Sequence, residues 1–196
     1  DKLVEPLSKI VGALPQEISI MNQLTVNIHL MLVSFYRPVG KKNKILVESK
    51  AFPSDQYALY SYVRHIGLNP NEVIVEINPD KEGTPPTNDE VLKAIQKHKD
   101  ELALIFLSGV NYYTGQLFDL KSIAIAAHQI KALVGYDLAH AAGNVGLSLH
   151  DWNVDFACWC SYKYLNAGPG AIGAVFVHEK HHDKNLNRLE IGRAHV

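Results

Sequence analysis

The residue with the strongest chemical potential is Lys163, in the stretch Ser161-Tyr162-Lys163-Tyr164-Leu165-Asn166-Ala167-Gly168-Pro169-Gly170. A β-prone run, Asp155-Phe156-Ala157-Cys158-Trp159-Cys160, delivers this lysine into a turn that Gly168, Pro169 and Gly170 keep from becoming helical. A second β-prone run, Ala174-Val175-Phe176-Val177, follows. Lys163 is therefore expected at a strand end, flanked by two tyrosines and backed by hydrophobic residues. Such surroundings disfavour the ammonium, as Schiff-base chemistry requires. The alternative is a solvated loop lysine, the commonest fate of the residue type. The next candidates are Asp137 and His140 in Asp137-Leu138-Ala139-His140-Ala141-Ala142-Gly143. They read as a helix cap with a structural histidine, as half of a metal pair, or as a buried carboxylate that holds a proton on a heteroaromatic nitrogen. No third and fourth ligand lies nearby at suitable spacing, so no metal is expected. The last reading gains weight from the lysine on the next β-prone run. A strand-end aspartate and a strand-end lysine before a glycine-rich turn point to pyridoxal 5′-phosphate. The lysine would carry the cofactor, and the aspartate would keep the ring nitrogen protonated so that the ring accepts electrons.

These side chains need a frame. Residues 19–25 read as a loop leading into a helix that runs to 35. If that helix starts between Asn22 and Thr25, its free N–H groups and the Thr25 hydroxyl form a phosphate seat, with simple N-capping as the alternative. A strand is expected at 44–48, and Phe52-Pro53-Ser54-Asp55 opens a helix over 56–66 with conventional start chemistry. Phe52 is either core or a platform for an aromatic ring. A strand over 72–77, a turn-rich segment over 78–88, a helix over 91–99 that Asn88-Asp89-Glu90 starts, and a strand over 102–107 follow. That strand ends in the polar loop Ser108-Gly109-Val110-Asn111-Tyr112-Tyr113-Thr114-Gly115-Gln116. A helix over 120–129 and a strand over 132–136 place Asp137 at a strand end. This alternation predicts an α/β fold, a largely parallel sheet with helices on both faces. Ligands gather at the carboxyl ends of such strands, where Ser108, Asp137, Lys163 and the loop before Phe52 all fall.

At 196 residues the chain has room for one sizeable core, or one core and part of another. Nineteen basic residues against twenty acidic ones leave a net charge of −1, so nucleic acid is not an expected partner. The longest apolar run, 28–35, is too short for a bilayer, and no membrane association is expected. No signal peptide is expected from the opening residues, although the first is Asp rather than Met, which leaves room for a missing true N-terminus. Cys158 and Cys160 are not expected to form a disulfide or a metal site, and a cytoplasmic location is the natural inference.

The stretch 157–168, Gly135-Tyr136-Asp137-Leu138-Ala139-His140-Ala141 and Tyr113-Thr114-Gly115-Gln116 together closely resemble kynureninase, almost continuously over residues 5–181. These motifs separate the chain from the related cysteine desulfurases and class V aminotransferases. The resemblance implies a three-layer, fold-type I large domain of the pyridoxal-phosphate-dependent transferase kind over 1–182. By position, Lys163 matches the Schiff-base lysine and Asp137 its pyridine-nitrogen partner. Tyr162 matches a tyrosine that contacts the phosphate and relays a proton. Leu24 and Thr25 match the phosphate seat, and Phe52 the residue stacked on the ring. Pro53, Ser54, Asp55, Ser108 and His140 match further cofactor-pocket positions. The implied reaction is hydrolytic cleavage of the Cβ–Cγ bond of kynurenine or 3-hydroxykynurenine, giving alanine and anthranilate or 3-hydroxyanthranilate, in tryptophan catabolism and NAD precursor synthesis. A homodimer is implied as well. Residues 183–196 fall outside the resemblance, and 190–196 read as a translated sequencing adapter, so the family's small C-terminal domain is expected to be missing. The competing expectations are a non-catalytic, cofactor-binding fragment and another fold-type I enzyme such as a cysteine desulfurase.

Overall fold

A computed structural model of the chain describes residues 2–80 and 84–189; the expected adapter-like tail, 190–196, lies outside them. The frame is a seven-stranded sheet, built from β1 (Ile18–Ile20), β2 (Lys44–Glu48), β3 (Ile74–Ile77), β4 (Leu102–Ser108), β5 (Leu133–Asp137), β6 (Phe156–Trp159) and β7 (Ala174–Val177). Their spatial order is β1-β7-β6-β5-β4-β2-β3. Strands β2 to β6 run parallel, and β7 lies antiparallel between β6 and β1. The parallel strands are buried on both faces and therefore read as nearly continuous apolar runs.

Successive residues of each strand feed opposite cores. Leu104 and Phe106 of β4 join Ile45, Phe156 and Val175 in a layer closed by α2 (Leu24–Phe35) and α3 (Pro53–His65). Ile105 and Leu107 join Leu46, Tyr136, Trp159 and Phe176 in the opposite layer, closed by α1 (Val4–Val11), α5 (Asn88–Lys97) and α6 (Leu120–Gln129). Gly135 in β5 makes one of these contacts possible. A Cβ there would lie 2.0 Å from the Phe156 ring, which stacks on Phe35 at 4.8 Å between centroids.

The starts of α5 and α6 follow from their caps. Thr87 and Glu90 form a capping box, and the Asp119 side chain accepts from the Ser122 N–H at 3.0 Å.

Four expectations shift. Residues 18–20 are a strand rather than loop, because β7 turns back and offers them a partner, Ile18 opposite Phe176. The expected strand over 72–77 begins at Ile74. Asn69 caps the Asn71 N–H, Pro70 sets the next turn, and both commit the short helix α4 (Pro70–Val73). The capping box starts α5 at Asn88, within the expected Asn88-Asp89-Glu90 start, but the helix ends at Lys97 rather than 99. The strand expected over 155–160 shrinks to Phe156–Trp159, because Asp155 serves another purpose.

Asp155 is buried at the amino end of β6. It accepts from His128 Nε2 at 2.9 Å, His181 Nε2 at 2.8 Å, Lys180 Nζ at 2.8 Å and the Val134 N–H at 2.8 Å. Burial opposes its charge, but hydrogen bonds from His128 and His181 and the nearby Lys180 ammonium outweigh it and hold the carboxyl far below the usual range. Glu17, likewise buried at this edge, accepts from the Leu14 and Glu179 N–H groups and from His150 Nδ1. These clasps tie the chain before β1 and the chain after β7 to the sheet. Both cysteines are free and buried, and no helix among the described residues is long and apolar enough to cross a membrane.

Candidate active site

The opposite, carboxyl edge of the sheet holds a cleft of about 600 Å³. Nine of the sequence-expected residues line it: Leu24, Thr25, Phe52, Ser54, Ser108, Asp137, His140, Tyr162 and Lys163. Each arrives by a strand end or a helix start. Ser108 and Asp137 close β4 and β5 and sit opposite each other in register. Lys163 lies in the loop after β6, and Leu24 and Thr25 begin α2.

The amino end of α2 carries no side-chain cap, since Gln23 makes no capping hydrogen bond, so its N–H groups open toward the cleft. The approach is fixed from behind. Asn22 adopts a left-handed φ of 51°, its carbonyl accepts from the Gly173 N–H at 2.6 Å, and buried Asn27 donates to the Met21 carbonyl at 2.8 Å. Gly173 has no room for a side chain there, because a Cβ would meet the Trp159 carbonyl oxygen at 2.8 Å.

Lys163 is half-buried, and its Nζ lies 3.2 Å from His140 Nε2. Burial and the Lys163 charge both lower the His140 pKa, so the ring is neutral at pH 7 and its nitrogen accepts from the ammonium. The same Nζ sits 5.5 Å from the centroid of Phe52 and 5.7 Å from that of Tyr162. Phe52 is 40% exposed and meets Tyr112 edge-on at 5.1 Å, so it lies outside the core, with its ring at the cleft. Tyr162 faces solvent in part. Burial and neighbouring Cys160 push its phenol up.

Asp137 is buried, and its Oδ1 accepts from the Ala139 N–H at 2.7 Å. Burial raises its pKa against the opposing hydrogen bonds from Asp55 and Ala139. Asp55 is raised as well, to about 10, by burial first and then by the Asp137 charge. The pair is hydrogen-bonded and shares one proton, which resides on Asp55. Asp55 therefore stands behind Asp137 instead of lining the cleft, and Pro53 also stays out of the lining, as the first residue of α3. Both had been expected in the pocket itself. The short helix start accounts for the change: Pro53 sets the backbone, Ser54 faces the cleft, and Asp55 turns inward with its Oδ1 3.3 Å from the Ser54 Oγ.

Two buried residues had not been singled out. Glu48, 2% exposed at the end of β2, accepts a hydrogen bond from the Ser108 hydroxyl. Asn111 directs its side chain to Glu48 from the loop after β4. The signal for Glu48 was a carboxylate closing an otherwise apolar parallel strand on the same edge as Ser108 and Asp137.

Residues 5–196 match the family model described as Aminotransferase class-V. The chain belongs to the class-V aminotransferase family. Among curated members it is similar to the kynureninase of Flavobacterium johnsoniae, 57% identical over 190 residues, covering 96% of this chain and 45% of that protein. It is also similar to the kynureninase of Nematostella vectensis, 54% identical over 181 residues, covering 92% of this chain and 39% of that protein. The chain thus spans less than half the length of these kynureninases. Among solved structures, the cysteine desulfurase of Thermococcus onnurineus matches with a TM-score of 0.78 at 19% identity, over 97% of this chain and 45% of that one. A C-DES mutant with glycine covalently linked to its PLP cofactor matches with a TM-score of 0.76 at 18% identity, over 92% of this chain and 46% of that one.

Proposed function

We propose that this chain is the cofactor-binding part of a pyridoxal-phosphate-dependent kynureninase, a hydrolase that cleaves the Cβ–Cγ bond of kynurenine or 3-hydroxykynurenine to alanine and anthranilate or its 3-hydroxy form. The observation that carries the reading is the meeting of Lys163 and Asp137 in one cleft at the carboxyl edge, beneath the uncapped end of α2. The arrangement fits the cofactor on three independent counts: an open helix end for a phosphate, an exposed aromatic face for a ring, and a buried carboxylate for a ring nitrogen. When bound, pyridoxal phosphate supplies an electron sink for the carbanions that the bond cleavage requires.

The chain's own groups divide the remaining work. Leu24 and Thr25 bind the phosphate through backbone N–H groups and the Thr25 hydroxyl. Phe52 holds the ring plane. Asp137 accepts the ring N–H, and it is free to do so as the anion because Asp55 keeps the shared proton. Lys163 Nζ would hold the cofactor, and as a free amine it would be the base that takes the substrate's α-proton. His140, neutral beside it, receives a hydrogen bond from the ammonium and keeps it aimed at the cleft. Tyr162, half-exposed at the rim, would contact the phosphate and pass a proton to product.

The whole protein is a cytoplasmic homodimer in this reading, with residues 1–182 as part of its large domain and a further small domain beyond them. The test is borohydride reduction after incubation with pyridoxal phosphate, followed by peptide mapping. A phosphopyridoxyl group confined to Lys163 is expected. Labelling of Lys163 no greater than that of exposed Lys41 would refute the site. Kynurenine turnover by the complete protein then tests the reaction.

A further inference from the structure

The carboxyl edge differs from the amino edge in how its buried carboxylates are paired. Asp155 and Glu17, at the amino edge, have donors on both oxygens. Glu48 does not: Oε1 accepts from the Ser108 hydroxyl, while Oε2 is buried without a hydrogen-bond partner. A carboxylate kept only for stability would be expected to fill both oxygens, since an unpaired buried polar atom is costly. Ser108 in turn lines the cleft directly, in register with Asp137.

We propose that Glu48 is a positioning residue of this site: by engaging the Ser108 hydroxyl from behind, it decides whether Ser108 meets a ligand in the cleft as an acceptor or as a donor. An ionised carboxylate has lone pairs only. Ser108 must then donate its proton to Glu48, and its oxygen presents lone pairs to the cleft. Once Glu48 takes up a proton at Oε1, that oxygen becomes the donor. The Ser108 proton swings toward the cleft, and no other bond forms or breaks. The inference rests on the pyridoxal-phosphate reading only for the identity of the ligand.

The surroundings set where this exchange falls. Burial chiefly, and the charge of Asp137 on β5, push the Glu48 carboxyl up, against the hydrogen bond from Ser108 and the nearby Asn111 side chain, to about 6. Asp55 on α3 faces the same space. Lys163 and His140, themselves 3.2 Å apart, act on Asp137 with the opposite sign. The exchange therefore falls within the physiological range.

Two readouts test the proposal, on folded variants checked by thermal melting. The first needs no cofactor: the protein is labelled with carboxyl-13C glutamate, and Glu48 is assigned by the signal missing in Glu48→Gln. Its titration is expected near pH 6 and is expected to move upward in Ser108→Ala, which removes a donor to the charged form. A Glu48 midpoint unmoved by Ser108→Ala would overturn the proposal. The second follows the visible band of bound pyridoxal phosphate against pH. An inflection near pH 6 is expected in the wild type and absent in Glu48→Gln. Cofactor affinity is expected to fall roughly tenfold in Glu48→Gln, about one charged hydrogen bond. Neither effect should add to Ser108→Ala in the double variant. A Glu48→Gln effect that persists undiminished without the Ser108 hydroxyl would make Glu48 a distant charge and sink the inference. If no band develops and Lys163 is not labelled, the cofactor reading fails, while the carboxyl titration still decides the link between Glu48 and Ser108.

Discussion

Asp55→Asn should stabilise the protein, and by an amount that depends on pH. The Asp55 carboxyl is pushed from an ordinary value of 3.8 to about 10, by burial first and by the Asp137 charge second. A group raised in the folded state contributes its full stability below the unfolded value and loses it as pH climbs toward the folded value. At pH 7 the folded chain holds a proton on Asp55 that the unfolded chain releases. Over the interval from 3.8 to 7, at about 1.4 kcal/mol per unit, this costs up to about 4 kcal/mol. Asparagine is neutral at every pH, nearly the same shape, and still donates to Asp137 through its amide. The gain should be about 2–4 kcal/mol at pH 7 and near zero at pH 4. With a urea slope of roughly 2 kcal/mol per M, the midpoint should rise by about 1–2 M at pH 7. Urea melts at pH 4, 5, 6, 7 and 8 would show the wild-type and variant curves diverging steadily. Superimposed curves from pH 5 to 8 would refute the shared-proton reading of the pair.

The amino edge should respond with the opposite sign. Asp155→Ala leaves Lys180, His128 and His181 without their shared anion and should cost about 3–5 kcal/mol in urea melts at pH 7. In the wild type this contribution is present above the ordinary aspartate value and is lost as pH falls below about 4, visible as an acid-unfolding limb that the variant lacks. Gly135→Ala drives a methyl into the Phe156 ring and should cost about 1–3 kcal/mol, read as a lower thermal midpoint. Phe52→Ala removes an exposed ring and should leave stability within about 0.5 kcal/mol. It should nonetheless weaken pyridoxal-phosphate binding by up to about tenfold in a fluorescence titration.

The site was legible where one strand end followed another. Lys163, Asp137, Ser108 and Thr25 could be placed from the sequence because apolar runs in a parallel sheet announce their own ends, and ends on one edge must share a cleft. Glu48 terminates a run of the same kind but looks like an ordinary solvent-facing strand end. Only the meeting of β2 with β4 shows that it is buried behind Ser108. Asp55 follows a proline at a helix start, where capping explains a carboxylate adequately, so its inward turn toward Asp137 left no local trace. Strand β1 is three residues long and exists through its pairing with β7, a partner far along the chain. Asp155 was absorbed into the apolar run that it precedes, because its partners come from three distant segments.

The position of β7 has a consequence for the order in which the molecule can be made. Strand β1 waits for β7: Ile18 to Ile20 pair with Phe176 to Ala174, and the Gly173 N–H fixes the Asn22 carbonyl that aims α2. At about 5–20 residues per second, ribosomal synthesis would leave the head of α2 unanchored for roughly ten to thirty seconds. Strands β2 to β5 can assemble in that interval, through local crossovers that close short loops. The amino end of α2 is completed only when β7 slides between β6 and β1. Nascent chains halted before Gly173 should thus present a formed central sheet with an unfinished cleft, and the cofactor is expected to be among the last things to dock.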